Sequence, residues 1–241
     1  YLELRWANRN IVPMTKNQGP DKVNLDPKHR FLDLLEAYNQ KLNLISYKTR
    51  EELEVKHWDD SLALLEVLEL PAGQRVMDLG TGGGFPGIPL AIQCPQAEFV
   101  LVDSVGKKVK AVQAMAEAMD LKNVTVLNAR FEELGRDAEY RERFGLVVAR
   151  AVAALPTLLE YAAPFVFVHG IFVAYKSRDY LEELEASNKA QQVLGFEFDG
   201  AVDYELDGGV GSRSLLIFRK TRALGEAYPR KVGVAGKRPI G

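Results

Sequence analysis

The sequence predicts an α/β protein built on a mostly parallel, doubly wound sheet, with an all-helical segment ahead of it. Three observations carry this. From Arg75 onward, short runs rich in β-branched residues alternate with helical patterns, the rhythm of strand–helix–strand units. Those runs are nearly continuous in apolar residues, as strands covered on both faces require. The first run ends in "VMDLGTGGGFPG", Val76 to Gly87, where five glycines and a proline fall within eight residues. That is the carboxyl end of a strand, where a sheet of this kind receives its ligand.

Residues 1–25 show no sustained period and hold Pro13, Gly19 and Pro20, so a loose lead-in is expected there. Asp26-Pro27 offers an N-cap with proline in the first turn, and Phe31, Leu34, Leu35, Tyr38 and Leu42 recur at helical spacing. Thr49 with Glu52 fits a capping box opening a second helical region to about Leu70, with a break expected near His57 to Asp60. Pro71-Ala72-Gly73 ends it, so 26–73 reads as a helical cap. Expected strands are 75–79, 98–102, 124–127, 144–149, 170–175, 196–204 and 213–219, with helices over 86–93, 105–119, 156–162 and 178–194. The ligand-binding core is then 74–220, and 221–241 is a basic tail expected to pack near the active site.

At 241 residues the chain suffices for one large domain with an extension. Its composition, 47% hydrophobic and 27% charged, is that of a soluble globular protein. No apolar run approaches the ~20 residues needed to cross a bilayer, and no charged-then-apolar leader opens the sequence, so a cytoplasmic protein without a membrane partner is expected. The lone Cys94 excludes an internal disulfide. His29, His57 and His169 do not stand at metal-ligand spacing, and no metal is expected. From Arg219 onward seven cations face Glu226 alone, a net +6 that leaves −8 on the rest of the chain. A basic tail on an acidic body suggests a polyanionic partner, nucleic acid before membrane.

Gly82-x-Gly84-x-x-Gly87 formally matches a dinucleotide fingerprint, with Asp103 placed to hold a ribose hydroxyl, so an NAD(P)-linked oxidoreductase is one reading. Asp78 argues against it. A dinucleotide sets its pyrophosphate at the first strand-to-helix turn, where a carboxylate two residues before the first glycine would oppose it. S-adenosylmethionine brings an ammonium and a sulfonium, which would give that acid a partner. Gly80, Gly82 and Gly84 would let the backbone pass close to the methionine moiety, and Asp103 would take the ribose.

The chain as a whole resembles a known family. "NLISYKTREELEVKHWDDSLAL", "DLGTGGGFPGIPLAI", "LVDSVGKKVKAV", "NARFEEL", "VVARAVA", "VAYKS" and the terminal "YPRKVGVAGKRPIG" are, in that order, similar to the bacterial small-subunit rRNA guanine-N7 methyltransferases, also called glucose-inhibited division protein B. The resemblance spans about Phe31 to Gly241. It implies a Rossmann-like, seven-stranded S-adenosylmethionine-dependent methyltransferase sheet. The implied cofactor contacts are Gly80 and Phe85 in the loop, Asp103, Phe131 with Glu132 after the third strand, and Arg150 after the fourth. The implied product is 7-methylguanosine in the decoding region of 16S rRNA. The chain departs from the family pattern in Pro229-Arg230-Lys231, where a second arginine is usual, in Gly233-Val234-Ala235, where Gly-Thr-Pro is usual, and in Ser177 for the glycine after "AYK".

The residue inventory agrees with that acceptor. Methylation of cytosine C5 needs a cysteine nucleophile, and Cys94 sits in the loop-like "QCPQ"; methylation of an adenine amine uses an Asn/Asp-Pro-Pro-aromatic loop, and the chain has no Pro-Pro. Guanine N7 has an available lone pair and needs no base, so rate comes from alignment. N7 faces the deep major groove of A-form RNA, so the target base should be looped out or extruded. Arg150 and Lys176 are the candidate catalytic cations, and Arg213, Arg230, Lys231, Lys237 and Arg238 the candidate RNA contacts. For Arg150 the alternative is an ion pair with a nearby acid such as Asp78 or Asp103. His57, Trp58 and Asp60 could help close the site from the cap, and for His57 and Trp58 the alternative is packing of the cap. Partners are expected to be 16S rRNA or the small ribosomal subunit, with the protein acting as a monomer. A third reading is an RNA-binding module without catalysis.

Overall fold

A computed structural model describes residues 26–241; the expected lead-in, 1–25, lies outside the described residues. Helix α1, Pro27–Leu42, starts where Asp26 accepts the Lys28 N–H and stops at Asn43 in the left-handed conformation. Helix α2, Arg50–Leu53, opens on Thr49, whose hydroxyl oxygen accepts the Glu52 N–H. The Glu52 carboxylate reaches back to the Lys48 N–H, one residue beyond the usual box. The expected break at His57 to Asp60 is instead a π-helical stretch, Glu54–Asp59, running directly into α3, Asp60–Val67. A π turn takes in an extra residue. His57, Trp58 and Asp60 are all buried.

The strands are β1 Arg75–Leu79, β2 Glu98–Asp103, β3 Val124–Asn128, β4 Phe144–Arg150, β5 Val166–Ser177, β6 Phe196–Leu206 and β7 Gly211–Lys220. They form one seven-stranded sheet in the order β3-β2-β1-β4-β5-β7-β6, parallel except that β7 runs antiparallel to both β5 and β6. Between them lie α4 Gly87–Gln93, α5 Gly106–Ala118, α6 Phe131–Leu134, α7 Leu155–Ala162, α8 Leu181–Ala186 and α9 Asn188–Leu194, with α10 Val234–Lys237 in the tail. The single helix expected over 178–194 is broken because the Ser187 hydroxyl donates to the Leu184 carbonyl, competing with helical bonding. α6 and α10, at four residues each, are too short to show a period.

Alternation along the strands divides the apolar residues into two cores. Val76, Leu101, Val148 and Val173 face α1, α3, α4 and α5; Met77, Val102, Val147 and Phe172 face α7, α9 and the tail residues Leu224 and Ile240. Asp78 pairs in register with Leu101 and Val148 and so points toward the cap side of the sheet. Arg150 follows Val148 on that same side. Strand order reverses between β1 and β4, so the glycine loop after β1 and Arg150 at the end of β4 flank the switch point.

Candidate active site

The glycines of the loop have different reasons. Gly80, at φ +71°, donates its N–H to the Val102 carbonyl, and a Cβ there would lie 2.6 Å from Val152 Cγ2. A Cβ on Gly83, Gly84 or Gly87 would press on Ile45, Ile88 or Leu101. Gly82, at φ +58°, meets nothing nearer than the Gly80 carbonyl oxygen at 3.8 Å. Most of the run is therefore glycine because the cap and sheet close on it, and Gly82 is where the loop opens.

Asp78 is fully buried, not an exposed strand-end acid. Its Oδ2 accepts the Gly87 N–H at 3.0 Å at the start of α4. Its Oδ1 and the Thr81 hydroxyl oxygen are buried without a hydrogen-bond partner among the described residues. Burial pushes the carboxyl up to about 6, against the opposing pull of the Gly87 N–H and Arg150. Asp103, at the end of β2, accepts the Gly82 N–H on Oδ2 at 3.0 Å and the Val105 N–H on Oδ1 at 2.8 Å, tying the loop to the second strand. An unsatisfied acid and hydroxyl under an open glycine turn, with a second acid beside it, fit the cationic end and the ribose of S-adenosylmethionine.

Arg150 does form an ion pair with a nearby acid, but that acid is Asp60 rather than Asp78 or Asp103. Its guanidinium pairs with Asp60 Oδ2 at 2.8 Å, donates to the Lys56 carbonyl and to His57 Nδ1 at 3.0 Å, and lies over the Phe85 ring, 5.2 Å from its centre. The π-helical stretch and the first residue of α3 supply all three cap partners. His57 Nε2 faces the Ser46 carbonyl, so its proton sits there and Nδ1 accepts from arginine. Burial, with Arg150 beside it, holds the imidazole down to about 4, and it is neutral at pH 7. Asp60 Oδ1 accepts the Tyr204 hydroxyl at 2.7 Å. Tyr204 carries no sequence signal of this role, because it arrives from β6, far along the chain.

The other candidates are dispersed. The Phe85 ring is turned into the cap against Phe31 and His57. Phe131 packs on Tyr161, and the buried Glu132 accepts the Gly233 N–H of the tail. Lys176 is held by Glu183 and the Ala153 carbonyl. The tail does not extend from the body. Thr157 donates to the Ala235 carbonyl, and Arg136 and Arg141 bond the carbonyls of Pro229 and Tyr228. Arg230, expected as an RNA contact, is instead gripped by both carboxylate oxygens of Glu160, which is fully buried. The lone acid in the apolar run "LPTLLEYAAP" was the available signal for that pair. Lys231, Lys237 and Arg238 remain exposed, and Arg213 is half-buried, donating to the Ser212 carbonyl.

The sheet, its switch point and the loop define a Rossmann-like methyltransferase fold. Solved structures share it at low identity: StiE O-MT at 18% identity and TM-score 0.56, over 77% of this chain and 80% of that one, and YcgJ from Bacillus subtilis at 13% and 0.53, over 69% and 100%. The chain belongs to the rRNA small subunit methyltransferase G family, whose model matches residues 25–204. Proteins named ribosomal RNA small subunit methyltransferase G from Desulfitobacterium hafniense and Moorella thermoacetica are 42% and 36% identical to it, over 87% and 98% of this chain and 87% and 100% of theirs. The Moorella alignment extends into the first thirty residues, which the motif resemblance left out.

Proposed function

We propose that this chain methylates N7 of a guanine in the decoding region of 16S rRNA, acting as a cytoplasmic monomer on the RNA or on the small ribosomal subunit. Family membership makes it an S-adenosylmethionine-dependent rRNA methyltransferase, and the match across 25–204, which contains the glycine loop and both acids, is the observation that carries the reading. The nicotinamide alternative has no place in this family, and Asp78 already opposed it. The guanine, its position and the 7-methyl product rest on the likeness of the motifs.

When bound, the cofactor supplies an electrophilic methyl group on its sulfonium. The chain's residues do the rest by placement. Gly80 and Gly82 give the backbone its close approach, Asp78 offers a buried carboxylate to the cationic end, and Asp103 offers its remaining lone pairs to the ribose. N7 brings its own lone pair, so the residues need only align it, for which gains of ~7–11 kcal/mol are accessible. Arg150 and Lys176, each held in place by an acid, hold phosphates around the target base, with Arg150 nearest the cofactor. Lys231, Lys237, Arg238 and Arg213 are the cations left to meet phosphate.

The test is methyl transfer from labelled S-adenosylmethionine to small subunits lacking the modification, followed by mass mapping of the nucleosides. The expected result is one 7-methylguanosine in the decoding region. Label on another atom would overturn the acceptor assignment. Cofactor binding and RNA binding without transfer would leave the non-catalytic module.

A further inference from the structure

Arg150 is the meeting point of three elements distant in sequence. From the cap it takes the Asp60 carboxylate, the Lys56 carbonyl and His57; toward the loop it covers the Phe85 ring. The residue after it, Ala151, has φ +55°, a left-handed conformation that costs an alanine roughly 1 kcal/mol, and this turn sets Val152 against Gly80. The side chain and the backbone of this one segment thus both touch the cofactor loop. Asp60 holds the guanidinium with one oxygen, and its other oxygen is held by Tyr204. Tyr204 stands in β6, paired with Arg213 of β7, three residues before the turn that joins the two strands at Gly208 and Gly209. A buried Asp60 with a single partner would be a poorly satisfied charge, so the tyrosine and the arginine each depend on the other's bond to it.

We propose that Asp60 and Tyr204 are positioning residues: acting through Arg150, they lock the cap onto the cofactor loop and make the loop's geometry depend on the β6–β7 hairpin. The hairpin carries Arg213, a candidate RNA contact, so this chain of bonds links the RNA side of the site to the cofactor side. The proposal rests on the methyl-donor reading above for its consequence in binding, and on geometry alone for the mechanical link.

Two measurements on the full chain test it with Tyr204→Phe, Asp60→Asn and the double variant. Hydrogen exchange of backbone amides needs no cofactor. Tyr204→Phe removes one hydroxyl and should speed exchange together at 54–60 and at 80–85, while β2 and β3 keep the parent's protection. Titration with S-adenosylmethionine should show affinity lower by about five- to tenfold in either single variant, in the range of ordinary couplings between sites, and no further loss in the double. Unchanged exchange at 80–85 in Tyr204→Phe, or faster exchange spread evenly over the sheet, would overturn the lock. Losses that add fully in the double variant would overturn the shared route through Arg150. If Asp60→Asn does not fold, Tyr204→Phe decides alone. A parent chain that binds no S-adenosylmethionine would refute the functional reading, and the exchange data would still decide the link.

Discussion

Replacing Asp78 by asparagine separates what the acid costs the fold from what it does for the ligand. Its carboxyl, ordinarily near 3.8, is pushed up to about 6 by burial. As the pH rises from about 4 to about 6, the unfolded chain releases a proton that the folded chain retains, so stability falls with rising pH over that window. The loss reaches roughly 3 kcal/mol at neutral pH. His57 acts in the opposite sense: held down to about 4 from 6.5, it adds stability as the pH rises through the same window, by a similar amount. In the parent these two contributions nearly cancel. Asparagine can still accept the Gly87 N–H, and its amide can donate to the orphaned Thr81 hydroxyl oxygen. The variant should therefore match the parent near pH 4 and exceed it by about 3 kcal/mol near pH 7, in urea unfolding without cofactor. Its affinity for S-adenosylmethionine at pH 7.5 should fall by about ten- to a hundredfold, because the charge that burial penalises is the one the ligand's cation relieves. A stability difference that does not change with pH would refute the buried, titrating Asp78. Equal cofactor affinity would remove the acid from the binding site.

Other outcomes follow from the same geometry. Arg230→Ala should lower stability by about 3–5 kcal/mol, since it strands the fully buried Glu160, with RNA affinity per folded molecule little changed. Replacing Lys231, Lys237 and Arg238 together should leave thermal stability and cofactor affinity near the parent's. It should flatten the log–log salt dependence of RNA binding by ~0.7 for each single-strand phosphate no longer neutralised, and an unchanged slope would remove these cations from the interface. Gly82→Ala has room for its methyl group and should cost the fold only about 1–2 kcal/mol through its left-handed φ, yet reduce cofactor affinity, measured side by side by melting and titration calorimetry. Asp103→Ala should loosen the loop tip by freeing the Gly82 and Val105 N–H groups and weaken cofactor binding; a fall in melting temperature with unchanged binding would make that acid purely structural.

The fold class and the seven strands were legible in the local sequence, and the glycine run marked where a ligand is expected. Runs such as "RVMDL" and "GLVVAR" can be satisfied only when covered on both faces, and glycine density at the end of the first run admits few explanations. Those signals are local, written within a few residues of where they act. The sequence also marked Asp78 and Asp103 as acids at strand ends, and the ordered motifs named the family. How the charges pair was not legible before the chain folded. Arg230 reads in sequence as one cation among seven in a basic tail, but α7 brings Glu160 beneath it, 70 residues away, and ties up its guanidinium while leaving it half-buried. Arg150 reads as a cofactor or phosphate contact, and the π-helical stretch with the first residue of α3, an arrangement invisible to a helical period of 3.6, also brings His57 and Asp60 to it. Opposite charges and hydrogen-bonding groups find one another by distance in space, which no spacing along the chain encodes, so the pairing of side chains was settled only when the sheet and the cap closed on each other.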